Sequence, residues 1–138
     1  MHVVWGTLNR EGMLDKRSAE RVANFLRKYA ASKQIFLKAV HVNCEHVHVL
    51  VELPTSKTIE QVVQLLKGAS SHWIGEQKLA PGKFYWSRGY GVFSVSHSHL
   101  ERVCKYITNQ EEHHRRRGFS EEYELFVKRH GLEWKENR

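Results

Sequence analysis

The run from His46 to Leu53, His-Val-His-Val-Leu-Val-Glu-Leu, is the feature that most constrains how this chain can fold. Side chains alternate across a strand, so Val47, Val49, Val51 and Leu53 share one face and His46 and His48 share the other. A strand of this kind belongs in an antiparallel sheet with one face on a core and the other turned away from it. The neighbouring segments agree. His2 to Asn9 is rich in β-formers and reads as a first strand. Ile35 to Val42 reads as a second, with Asn43-Cys44-Glu45 as a hairpin turn into His46. Lys83 to Val95 contains a fourth, where Gly89 and Gly91 point to a bend or bulge.

Helices alternate with these strands. Between Asp15 and Lys33 the residues Ala19, Val22, Ala23, Leu26, Tyr29 and Ala30 recur at helical spacing. A second helix is expected from about Thr58 to Lys78, opened by a capping box of Thr58 and Gln61. Its inner face reads Ile59, Val62, Val63, Leu66, Ala69 and Trp73. Ser98 and Glu101 form another capping box before a helix to about Arg117, which Gly118 closes. Ser120 to His130 reads as a last short helix. The order β-α-β-β-α-β-α predicts one α+β domain over 1–138. It is ferredoxin-like (RRM-like), an antiparallel sheet with helices on one face and the other face open for a site, plus a further C-terminal helix.

Composition narrows the function classes. The chain has 22 Lys and Arg against 15 Asp and Glu, a formal charge of +7. Such an excess favours a polyanionic partner, because each neutralised phosphate releases counterions. No apolar run approaches a membrane span and no signal peptide opens the chain, so a cytoplasmic protein is expected. The cysteines Cys44 and Cys104 make no disulfide framework and read as buried free thiols. There is no Walker-type phosphate loop, and no nucleotide cofactor is expected.

The chemistry-bearing residues fall in two places. His46 and His48, two apart on one strand face, can hold one metal ion, but two ligands do not make a site. The helix after the fourth strand offers more. Tyr106 and Gln110 lie about 40° apart on the helix wheel, on the flank of the apolar stripe, with Arg102, His113 and Arg117. Gln110 could give an amide oxygen to the ion, and His114 is a rival third ligand. Tyr106 could be a nucleophile or a boundary tyrosine with a wet hydroxyl.

The pairing of His46-Val47-His48 with Tyr106-Ile107-Thr108-Asn109-Gln110 resembles the single-tyrosine HUH transposases, the insertion sequence 200/605-like and REP-associated enzymes. Val4-Trp5, the stretch from Leu66 to Ser71, the stretch from Arg88 to Ser96, and Asn109 to His114 resemble that family too. The departures are small: the chain begins close to its first strand, and His97 stands where close relatives are expected to carry proline. The resemblance implies that His46, His48 and Gln110 are metal ligands, that Tyr106 is the nucleophile on a C-terminal catalytic helix, and that the ion is Mg²⁺ or Mn²⁺. It implies cutting and rejoining of single-stranded DNA through a 5′-phosphotyrosine, recognition of a DNA hairpin, and a homodimer in which Tyr106 serves either its own subunit or the partner.

Less is expected of the surroundings. Glu45 reads equally as a group orienting a ligand and as an ordinary turn carboxylate. Lys67, Lys83, Arg88, Arg102 and Arg117 are candidate phosphate contacts, with Trp73 or Trp86 as stacking surfaces. Rival readings are a non-catalytic single-stranded nucleic-acid-binding protein of the same fold, a metal-dependent nuclease using water, and a structural zinc site of Cys44, His46 and His48.

Overall fold

The structure, a computed structural model, describes residues 1–94 together with Arg102, Lys105, Glu136 and Asn137. The strands are β1 (His2–Gly6), β2 (Phe36–Val42), β3 (His46–Glu52), β4 (Tyr90–Phe93) and a two-residue β5 (Glu136–Asn137). The helices are α1 (Lys16–Ser32) and α2 (Ile59–Gln77), and a 3-10 turn spans Leu8–Arg10. The sheet order is β2-β3-β1-β4-β5, and all neighbouring pairs are antiparallel. This is the ferredoxin-like arrangement expected, with β5 as an addition that no hydrophobic pattern announces.

Each element follows from local chemistry. Asp15 caps α1, its carboxylate accepting from the Ser18 N–H at 2.7 Å. This contact holds the carboxyl below the usual carboxylate range. Thr58 and Gln61 form the expected reciprocal capping box on α2. Lys78 ends that helix in the left-handed region at φ 53°. Between β2 and β3, Asn43 Oδ1 accepts from the backbone N–H groups of Glu45 and His46, both at 2.9 Å, which fixes the hairpin turn.

The main core lies between the sheet and the two helices. Val3, Trp5, Val40, Val42, Val47, Val49 and Val51 meet Val22, Leu26, Val62, Val63, Leu66 and Ile74. The alternation in β3 therefore sends its valines to the core face as expected. The inner face of α2 differs from expectation in its second half. Ser70 and Ile74 are buried there, and Ala69 and Trp73 are only partly buried. The reason is a polar contact. Ser70 Oγ donates to the Leu66 carbonyl and accepts from Trp86 Nε1 at 3.0 Å, drawing that line of the helix against the chain before β4. Trp73 instead stacks on Phe25 of α1, ring centroids 4.7 Å apart.

Four further expectations need correction. The first strand stops at Gly6 and turns into the 3-10 segment, because Thr7 Oγ1 is tied to the Glu11 carbonyl at 2.6 Å. The chain bends at Arg88 beside Gly89, but no bulge falls at Gly91, which pairs with Val4 in regular register; the ladder irregularity lies between Leu37 and Ala39 of β2. Cys44 is exposed at the hairpin turn rather than buried. Finally, the sheet face opposite α1 and α2 is not open. His2, Val4, Ala39, His46, His48, Leu50 and Phe93 are all buried there. Among the described residues no helix is long and apolar enough to cross a membrane. The expected helix from Ser98 to Arg117, Cys104, Gly118 and the last helix from Ser120 lie outside the described residues, apart from Arg102 and Lys105, which are helical and exposed.

Candidate functional site

The second face of the sheet gathers imidazoles. Directly opposed residues in an antiparallel pair share a face. His48 faces His41 of β2 and Val4 of β1, and His46 faces Gly6. His46 and His48 have no solvent exposure. Their ring centroids stand 4.8 Å apart at 70°. Two imidazoles bound at right angles to one ion, with metal–nitrogen bonds of about 2.1 Å, set their centroids about 4.6 Å apart. The centroid spacing of the pair permits a single shared ion.

Hydrogen bonds assign the nitrogens of His46. Asn43 spends its carbonyl oxygen on two backbone N–H groups, so its amide Nδ2 is the atom that faces His46 Nε2, at 3.1 Å. The amide donates and Nε2 accepts, which leaves the ring proton on Nδ1. Glu45 Oε1 lies 3.9 Å from that Nδ1, on the proton side but beyond hydrogen-bond reach. An ion taking the Nε2 lone pair would displace the Asn43 amide. His48 turns Nδ1 to His2 Nε2 at 3.1 Å, and the two rings stack at 25°.

Gly6 completes the local fit. A Cβ there would come within 3.3 Å of the Glu45 carbonyl oxygen, and Thr7 N–H donates to that same oxygen at 2.7 Å. The close approach of β1 to the start of β3 thus seats the backbone next to His46. Among the described residues no group of three or more His, Cys, Asp and Glu side chains is placed to hold a metal. The zinc arrangement of Cys44 with His46 and His48 is therefore not formed among the described residues: Cys44 lies exposed on the turn. Any metal held by the histidine pair would need a ligand from outside the described His, Cys, Asp and Glu side chains. Tyr106, Gln110, His113, His114 and Arg117 lie outside the described residues.

The candidate nucleic-acid contacts divide. Lys67 Nζ donates to the carbonyls of Ser87 at 2.6 Å and Gly89 at 3.1 Å. Its partial burial draws its pKa below the ordinary lysine value. It therefore ties α2 to the turn that carries Arg88. Lys67, exposed Arg88 and Tyr90 line one groove of about 360 Å³ with Glu60, Val63, Gln64 and Gly68. Lys83 is exposed. Trp86 is not a stacking surface: it is buried, edge-on to Trp5 and Phe84, with its N–H on Ser70. Trp73 has Phe25 on its face and Arg21 at 5.6 Å. Sequence reasoning missed His2, His41 and Asn43. Only the strand register brings the first two to His48. Asn43 was legible as a turn residue, but not as a partner of the His46 ring.

Comparison with known proteins supplies the context. A family model described as "Transposase IS200 like" matches residues 1–110, a stretch that includes His46, His48, Tyr106 and Gln110. The ISDra2 transposase TnpA of Deinococcus radiodurans is 28% identical over 115 residues, covering 79% of this chain and 81% of that one. The transposase for insertion sequence element IS200 of Salmonella typhimurium is 27% identical over 115 residues, covering 79% and 74%. The crystal structure of a candidate transposase from Deinococcus radiodurans R1 superposes with a TM-score of 0.61 at 28% identity, covering 79% of this chain and 88% of the other.

Proposed function

The chain belongs to the IS200-like transposase family, whose membership supports a DNA transposase function; on that premise we propose that it cuts and rejoins single-stranded DNA with Tyr106 as nucleophile. The observation that carries this reading is the buried pair of imidazoles, His46 and His48, with rings 4.8 Å apart on the sheet face opposite α1 and α2. Burying polar rings costs free energy that hydrogen bonds offset, and here the offset takes Asn43 for one ring and His2 for the other, an arrangement that supports a functional role for the pair.

In this reading His46 and His48, with Gln110, hold Mg²⁺ or Mn²⁺. The ion would polarise a non-bridging phosphate oxygen and fix the scissile bond. The protein's own residues do the rest. Tyr106 Oη attacks the backbone phosphorus, its proton passes to water, and the phosphorus–oxygen bond to the 3′-oxygen breaks. That oxygen leaves as a 3′-hydroxyl, and the DNA remains joined to Tyr106 through its 5′-phosphate. A 3′-hydroxyl of another strand then attacks the same phosphorus and releases the phenol. Each step exchanges one phosphodiester for another, so no nucleotide cofactor is consumed. Glu45, on the proton side of His46 but 3.9 Å from Nδ1, would orient that ring only on closing this gap when the ion binds. Lys67 acts by holding the turn, and Arg88, Arg102 and Arg117 supply phosphate contacts to a hairpin substrate. The working unit is a homodimer in which Tyr106 serves its own subunit or the partner.

The test is direct. Purified protein with Mn²⁺ and a single-stranded hairpin DNA should give a denaturation-resistant protein–DNA adduct, seen by gel and by mass. Tyr106→Phe should lose the adduct while still shifting the DNA on a native gel. An adduct of unchanged yield in that variant would remove Tyr106 as nucleophile. Metal-dependent cleavage that leaves a free 5′-phosphate and no adduct would favour a nuclease that uses water.

A further inference from the structure

His2 lies on β1 with no solvent exposure, paired in register with Leu50 on one side and Phe93 on the other. Its Nε2 is 3.1 Å from Nδ1 of His48, its ring stacks on His48 with centroids 5.3 Å apart, and Phe93 packs at 5.8 Å. Two imidazole nitrogens at that distance share one proton, so one ring donates and the other accepts. The two arrangements have different consequences. If His2 donated, the His48 proton would sit on Nε2 and that nitrogen would have no lone pair to give an ion. If His48 donates from Nδ1, its Nε2 carries the lone pair, matching the arrangement at His46.

We infer that His2 is a positioning residue for the metal site: its Nε2 accepts the Nδ1 proton of His48 and thereby fixes the ring and the tautomer in which His48 can ligate. The inference rests on the reading of His48 as a ligand. Ligating histidines generally give their other ring proton to such an acceptor, and removing the acceptor typically weakens metal binding by about 10–100-fold. His2 also stands on the central strand β1, flanked by β3 and β4, so its ring is held by packing on both sides. That rigidity is what an orienting group requires.

The experiment measures Mn²⁺ affinity of the full-length protein by calorimetry, together with ¹⁵N shifts of the histidine rings in the metal-free protein. Wild type should show His48 protonated at Nδ1 and bare at Nε2. His2→Phe keeps an aromatic ring but has no acceptor. It should weaken Mn²⁺ binding about 10–100-fold and shift His48 towards its other tautomer. His2→Gln, whose amide oxygen can accept, should recover most of the affinity. His48→Ala is the control for the underlying reading and should lose the site. Mn²⁺ affinity unchanged in His2→Phe while His48→Ala abolishes binding would overturn the role of His2 alone. Unchanged affinity in His48→Ala would overturn the ligand reading and this inference with it. A wild-type His48 protonated at Nε2 would overturn the inference whatever the folding of the variants.

Discussion

The two faces of the sheet are built from the same strands and serve opposite ends. On the helix side, Val3, Trp5, Val47, Val49 and Val51 pack against Val22, Leu26, Val63 and Leu66. On the other side, His2, His46 and His48 are buried just as completely among Val4, Leu50 and Phe93. Apolar burial contributes about 25 cal/mol per Å² and is indifferent to which nitrogen carries a proton. Buried imidazoles contribute little to stability on balance and hold specific geometry through Asn43 and His2. The difference teaches that the two-residue period of β3 gives one face to apolar packing and the other to imidazoles, which the proposed function makes its chemical face.

That separation can be broken deliberately. The largest effect is expected from replacing both His46 and His48 by alanine. Loss of one preorganised charge-stabilising group typically costs about 10²–10³ in rate, so the double variant should show no detectable metal-dependent cleavage in a gel assay while keeping its circular dichroism spectrum. The mirror-image variant is Leu66→Ala on the core face. It should lower unfolding free energy by about 2–5 kcal/mol in urea titrations and leave cleavage per folded molecule unchanged. If it instead abolished cleavage at full occupancy of the folded state, the two faces would not be independent.

The smallest effect sharpens the comparison at its edge. Asp15 takes no part in the histidine pair and caps α1 through its ionised carboxylate. Its folded pKa is depressed by the Ser18 N–H, so its stabilisation is present above the ordinary carboxylate range near pH 4 and is lost as pH falls through the lower folded value. Asp15→Asn should flatten the stability profile in that acid window only, read by thermal melts, and leave metal binding and cleavage at neutral pH as they were.

Much of this was legible in the sequence, for reasons that can be named. The alternation from His46 to Val51 fixed the two faces before any coordinates, though Leu53, expected on the core face, lies past the end of β3 and is exposed; the Thr58–Gln61 box fixed the start of α2. The turn Asn43-Cys44-Glu45 fell where it was expected. What was not legible depends on pairing across space. His2 looks like an ordinary β1 residue until the register of β1 on β3 sets it beside His48. Trp86 looked like a stacking surface because nothing in its neighbours shows that Ser70 takes its N–H. The second face looked open because period-two alternation says which side chains share a face and not what lies over them. The roles of Tyr106 and Gln110 come from the resemblance of their spacing to a family pattern and stand as proposals.

The most direct measurement of the central claim is anomalous diffraction from crystals of the full chain soaked in Mn²⁺. The account predicts one strong peak between the imidazoles, about 2.1–2.3 Å from a ring nitrogen of both His46 and His48, with the Asn43 amide moved off His46. A peak elsewhere, with His46 still hydrogen-bonded to Asn43 under conditions where the protein cleaves DNA, would contradict it.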